Sequence, residues 1–98
     1  MPAYIVAVVR VDDWSDMFQA YADRSAELTA KYGAEYMIRG KPESNVEGEL
    51  FNDRVIVVSK FPTLDAAKAF WSSDEYQNEI KHLRDNTGIY DIAIFEAA

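Results

Sequence analysis

Two segments of this chain, Tyr4-Ile5-Val6-Ala7-Val8-Val9 and Val55-Ile56-Val57-Val58, are apolar at every position. A strand with one wet face alternates apolar and polar residues. Uninterrupted runs of this kind therefore belong to strands buried on both sides. A chain of 98 residues has helices enough to cover only one face of a sheet. The other face needs a partner chain, so the expectation is a homodimer packed sheet to sheet, with a ligand cavity enclosed by that packing.

The length predicts a single domain over residues 1–98, large enough to hold one core without staples. The composition, 49% hydrophobic and 28% charged, is that of a soluble globular protein. A net charge of -7 opposes binding to nucleic acid or an anionic membrane, since both reward a basic surface. Without cysteine there is no disulfide, no thiolate metal site and no thiol nucleophile. The start, Met1-Pro2-Ala3-Tyr4, lacks a basic stretch followed by an apolar one, so a cytoplasmic location is expected.

Along the chain, a first strand is predicted from Ala3 to Val11, followed by Asp12 and Asp13 as cap residues of a helix. Trp14, Phe18, Tyr21, Ser25, Leu28 and Tyr32 recur at spacings of three and four and form its inner stripe, closed by Gly33. Glu27 and Lys31 are placed as an outer i,i+4 pair. Glu35 to Arg39 reads as a second strand and Val46 to Phe51 as a weaker hairpin strand; Asn52-Asp53 is a turn. Arg54 to Phe61 is the next strong strand. Thr63 caps a helix through Trp71 with Ala67, Phe70 and Trp71 inward, and Ser72-Ser73-Asp74-Glu75 matches a capping box for another helix. The inner stripe of that helix is Tyr76, Ile80 and Leu83. Asn86-Thr87-Gly88 then turns into a final strand, Ile89 to Phe95. The order gives an α+β fold, the ferredoxin-like βαββαβ plan with an antiparallel sheet and both helical layers on one face. Right-handed crossovers are further expected to set the first and third main strands side by side and parallel.

The chemistry-bearing candidates are few. Arg39, beside Gly40 at a strand end, suits bidentate contact with a carboxylate or a polarised oxygen; its structural role would be an ion pair with Glu47 or Glu49 across the hairpin. Trp71 and Tyr76 flank a helix junction and are placed as pocket walls or as core. Tyr4, Tyr21 and Tyr36 carry hydroxyls able to orient a ligand, and equally fill strands and stripes. His82, the only histidine, is a candidate general base or axial ligand. At about 100° per residue it falls about 200° from Ile80, which puts it off the apolar stripe and near Asn78 or Glu79. No nucleophile triad, phosphate loop or metal-ligand spacing is present, so no cofactor and no metal are expected.

Several segments together carry a resemblance. They are Ala3-Tyr4-Ile5, Asp12, Tyr32-Gly33-Ala34-Glu35-Tyr36 with Arg39-Gly40, Glu47-Gly48, Val55 to Phe61 with Pro62, Ala66-Ala67-Lys68-Ala69-Phe70-Trp71, and Ser73-Asp74-Glu75-Tyr76-Gln77. In this combination the chain resembles the family catalogued as domain of unknown function 1330. The resemblance implies a dimeric α/β-barrel, in which two ferredoxin-like sheets close around a shared interior. Where that family has an arginine followed by two glycines, this chain has Arg39-Gly40-Lys41, and His82-Leu83 precede Arg84. Relatives implied by the same resemblance include cofactor-free monooxygenases, lactone isomerases, haem-degrading enzymes and ligand-sensing domains, so the fold alone selects none.

Three functions remain open at this level. The first is a small-molecule-binding dimer, in its catalytic form a cofactor-free enzyme moving a proton on, or isomerising, a small organic acid, with Arg39 as anion anchor. The second is a non-catalytic ligand-sensing or dimerisation module. The third is haem handling through Trp71 and His82, which Ala7 in the first strand and the outward placing of His82 oppose.

Overall fold

The two apolar runs become the two central strands. In the computed structural model, which describes residues 1–98, β1 (Ala3–Val11) pairs antiparallel with β3 (Val55–Phe61). β2 (Glu35–Gly40) flanks β3 and β4 (Gly88–Glu96) flanks β1, giving the order β2-β3-β1-β4. Every neighbouring pair is antiparallel. The expected adjacency of the first and third strands is therefore correct and their expected direction is not. Each crossover makes parallel a pair of strands, β1 with β2 and β3 with β4, that a third strand separates.

α1 (Asp16–Lys31), α2 (Leu64–Ser72) and α3 cover one face of this sheet. α3 changes winding: it is a π-helix over Glu75–Ile80 and a 3₁₀-helix over Lys81–Arg84. The Lys81 N–H reaches back five residues to the Tyr76 carbonyl, which is the π pattern. Ala3, Ile5 and Phe61 from the strands pack against Leu28, Ala67, Phe70, Tyr76 and Ile80 from the helices to form the core. The opposite face carries Tyr4, Val6, Val8, Ile56, Val58, Ala93 and Phe95, and no element covers it. Both faces of the central strands are thus apolar, as the runs require.

Several local expectations shift by a few residues. Ser15, rather than Asp12 or Asp13, caps α1 by accepting the Phe18 N–H at 3.2 Å. Asp12 instead receives two hydrogen bonds from the Arg10 guanidinium, at 3.0 and 3.1 Å, while the Asp12 and Asp13 N–H groups donate to the Thr87 carbonyl. Gly33, at φ 79, follows the cap residue Tyr32 in the left-handed conformation that ends many helices. Thr63 caps α2 as expected, accepting from the Ala66 N–H at 3.1 Å. Ser73, one residue later than the box predicts, accepts from the Tyr76 N–H and donates to the Phe70 carbonyl, while the Ser72 hydroxyl donates to the Lys68 carbonyl. Glu27 and Lys31 form no ion pair. Val46 to Phe51 is not a strand: it lies in an irregular loop where Val46 is 92% exposed and has nothing to pack on. No helix is long and apolar enough to cross a membrane.

Candidate functional site

Strand alternation sends Ile5, Ala7, Val9 and Val11 of β1, with Val55, Val57 and Ser59 of β3, toward the helices. The side chains there are too small to fill the gap beneath α1. A cavity of about 220 Å³ results, between the sheet and the helices of a single chain. The space lies on the helix-covered face, whereas the pocket expected from the sequence lay between two sheets. Of its 20 lining residues 16 are hydrophobic, and Arg39 is the only charged one.

The aromatic wall is continuous. Trp14 and Phe18 meet edge to face at 5.0 Å, Tyr21 stands 6.0 Å from Tyr90 and 6.5 Å from Tyr76, and Trp71 lies 5.0 Å from Tyr76. Trp71 is held at the end of α2, where its carbonyl accepts the Gln77 side-chain amide at 2.6 Å. Tyr76, at 2% exposure, belongs to the core and the cavity at once, so both placings expected for it are correct.

Arg39 reaches this wall through an irregularity. Tyr36 pairs with Ser59, Ile38 with Val58 and Arg39 with Val57, so Met37 is an extra residue in β2. The bulge brings Tyr36 and Arg39, three residues apart, onto the same face, and the guanidinium stacks 4.6 Å from the Tyr36 ring centroid. Neither Glu47 nor Glu49 forms an ion pair with it, because the segment that was to be their strand leaves the sheet.

Two candidates lie elsewhere. Tyr4 pairs with Lys60 and Phe95 on the uncovered face, one step out of phase with the lining residues Ile5 and Ala7. His82 is on the outer side of α3, its side chain 64% exposed and its Nδ1 3.3 Å from Asp85. It does not line the cavity with Trp71, so the pair imagined for haem is not assembled there. No group of three or more His, Asp or Glu side chains is placed to hold a metal ion.

Further relationships among the polar groups emerge only in three dimensions. The Tyr21 and Tyr76 hydroxyls share a hydrogen bond of 3.0 Å. Burial raises the Tyr76 hydroxyl well above the usual tyrosine range, with Tyr21 adding to the effect, and burial raises Tyr90 as well. Arg84, only 8% exposed, lies 4.4 Å from the Tyr90 ring centroid and 5.5 Å from that of Tyr21. It forms no ion pair, and its Nη1 is buried without a hydrogen-bond partner. The one signal of this in the sequence is that Arg84 follows Ile80 by four residues, on the same stripe as Leu83.

Comparisons place this geometry among known folds. A crystal structure of a protein of unknown function from Rhodopseudomonas palustris is similar, with a TM-score of 0.74 and 15% identity over 99% of this chain and 82% of that one. A second is SnoaB, a cofactor-independent oxygenase from Streptomyces nogalater, with a TM-score of 0.66 and 12% identity over 99% of this chain and 93% of that one. At such identities the likeness is one of fold. No curated protein matches the chain. The family model described as "Domain of unknown function (DUF1330)" matches residues 2–98, and with the ferredoxin-like fold in place we conclude that the chain belongs to that family.

Proposed function

We propose that the protein binds a small, largely apolar organic acid in the helix-facing cavity, with Arg39 holding the carboxylate and Trp71 and Tyr76 packing on the hydrocarbon. The observation that carries this reading is the pairing of an aromatic, 16-of-20 hydrophobic lining with one charged side chain that has no carboxylate partner. Ligand sites combine these two features, a mostly apolar wall and a few convergent polar groups. The volume of about 220 Å³ lies below the roughly 300–1,000 Å³ of drug-sized pockets, which favours a ligand of one ring or a short chain.

A catalytic form of this reading is proton transfer or isomerisation of the bound acid without a cofactor, using tyrosine hydroxyls in the cavity wall. SnoaB, a cofactor-independent oxygenase, makes cofactor-free chemistry compatible with the fold. The second copy belongs to the same proposal. The uncovered sheet face exposes Ile38 and Phe95 at 54% each, beside Val6, Val8, Ile56 and Val58, and a second such face is its natural cover.

The test is a thermal-shift screen of monocyclic and short-chain carboxylic acids, followed by titration of variants. Arg39→Ala should weaken a hit at least tenfold. Arg39→Lys should recover only part of the loss, since lysine keeps the charge and lacks the planar fork. Equal affinity in parent and Arg39→Ala would remove Arg39 from the site, and a screen without hits would favour a module that only dimerises.

A further inference from the structure

The cavity has a second polar end that the carboxylate anchor does not use. Arg39 stands on β2, at one edge of the sheet, and Tyr90 on β4, at the other. Three strand spacings of about 4.8 Å separate these edges, so the two ends are distinct.

Hydrogen-bond partners limit which protons are free at this second end. Tyr76 is 2% exposed and its hydroxyl has one partner, the Tyr21 hydroxyl. A buried O–H with one neighbour is satisfied only by donating to it. Either hydroxyl can be the donor of this bond; with Tyr76 donating to Tyr21, the Tyr21 proton is left to donate into the cavity. One helical turn further along α1, the Ser25 hydroxyl oxygen is buried, lines the same cavity and has no partner at all. Thr87 spends its hydrogen on the Arg84 carbonyl, so Tyr90 donates to Thr87 at 2.6 Å and is not a further donor. Two hydroxyls on one face of α1, Tyr21 and Ser25, thus remain free to donate.

Behind them is a positive charge with no counter-ion. Arg84 touches Tyr21 from α1 and Tyr90 from β4, and it also acts electrostatically on Tyr76 of its own helix. No Asp or Glu pairs with it from any element, and the Arg24–Glu79 pair nearby on α1 and α3 is exposed and separate. A buried guanidinium is ordinarily matched by a carboxylate, since burying an unpaired charge is strongly unfavourable. Here only the π faces of two tyrosines offset it, and a bound anion would complete the compensation.

We infer that Tyr21 and Ser25, with Arg84 behind them, form an oxyanion site that takes a ligand oxygen bearing negative charge, such as a phenolate or an enolate. This inference rests on the cavity being a ligand site and narrows its ligand class to acids that carry a second acidic oxygen, as hydroxyaryl or enolisable acids do.

The probe is p-nitrophenol, whose phenolate absorbs visibly. It is titrated with the full-length protein between about pH 5 and pH 9, below the ordinary tyrosine range. The bound phenol should ionise at a pH lower than the free one by about one unit or more. Tyr21→Phe and Arg84→Met should each abolish most of that shift, and Ser25→Ala a smaller part. Arg84→Met should also melt at or above the parent temperature, because it removes a buried unpaired charge; if it does not fold, Tyr21→Phe decides alone. A bound phenol that stays protonated to higher pH than the free one, as in an apolar cavity without an oxyanion site, would overturn the inference. So would a lowered value unaffected by Tyr21→Phe. If carboxylic acids bind and p-nitrophenol does not, this inference fails while the carboxylate reading stands. If neither binds, both fail.

Discussion

The hydroxyls of Tyr21 and Tyr76 meet at 3.0 Å and join α1 to the π-wound start of α3, across 55 positions of sequence. Burial, first, and the neighbouring Tyr21 hold the Tyr76 hydroxyl neutral to a higher pH than an ordinary tyrosine.

The first prediction concerns alkali. The folded Tyr76 loses its proton at a higher pH than the unfolded one, near 10.0. Below that pH both states are protonated and the contribution is complete. Above it the unfolded state binds fewer protons, so stability falls as pH rises, by at most about 1.4 kcal/mol per unit for this group. Tyr90 adds a contribution of the same sign. Melting temperatures measured from about pH 8 to 11 should be flat and then decline from about 10, and Tyr76→Phe should decline less steeply. A parent whose melting temperature does not fall there would contradict the burial assigned to both tyrosines.

Phe61 has no exposed surface and packs 5.3 Å from the Phe70 ring, where the end of β3 meets α2. Phe61→Ala should cost about 3–5 kcal/mol in urea denaturation, a large share of the 5–15 kcal/mol typical of a domain. A loss below about 1 kcal/mol would mean that the core lies elsewhere.

Two glycines should respond in opposite ways. A Cβ on Gly88 would overlap the carbonyl oxygen of Arg10 on the paired strand, and backbone has nowhere to move. At Gly40 a Cβ would meet nothing within 4 Å. Gly88→Ala should therefore destabilise by about 3 kcal/mol or more, while Gly40→Ala, next to Arg39, should stay within about 0.5 kcal/mol of the parent. Thermal melts of the two variants side by side check the register of β1 and β4.

The uncovered face gives a prediction about assembly. Val58 pairs with Val6 and Ile38 near the middle of that face. Sedimentation should find a dimer at micromolar concentration, and Val58→Glu should find a folded monomer, since the new charge is solvated in one chain and buried between two. A parent that sediments as a monomer would remove the sheet-to-sheet pairing without touching the cavity, which a single chain builds.

The fold was legible because its signals are local. Continuous apolar runs, Thr63 before α2 and the stripe from Phe18 to Leu28 each act over one or two turns or one strand. Part of the cavity wall was legible for the same reason: Arg39, Trp71 and Tyr76 all line the cavity. Tyr4 lies outside the cavity, on the other face, which a two-sided strand does not reveal; one residue of phase separates it from Ile5. Arg84 was indicated only by the family resemblance, because Leu83, equally placed on an α-helical stripe, is the apolar choice. The change from π to 3₁₀ winding turns Arg84 inward to 8% exposure and leaves Leu83 less buried. The free donors on α1 were hidden too, since which hydroxyls lack partners depends on groups far away in sequence.

The extra residue in β2 has a consequence for how such a pocket changes over time. With strict alternation, positions three apart point to opposite sides, and Arg39 would leave Tyr36 for the uncovered face. Loss of Met37 would remove the bulge and leave Tyr36 and Arg39 two apart in a regular strand, still opposite Ser59 and Val57, so the cavity would keep its single charge. In this architecture an inserted codon, and not its loss, is the event that shapes the pocket: one residue more than the ladder needs lets an arginine three places along share a face with a tyrosine.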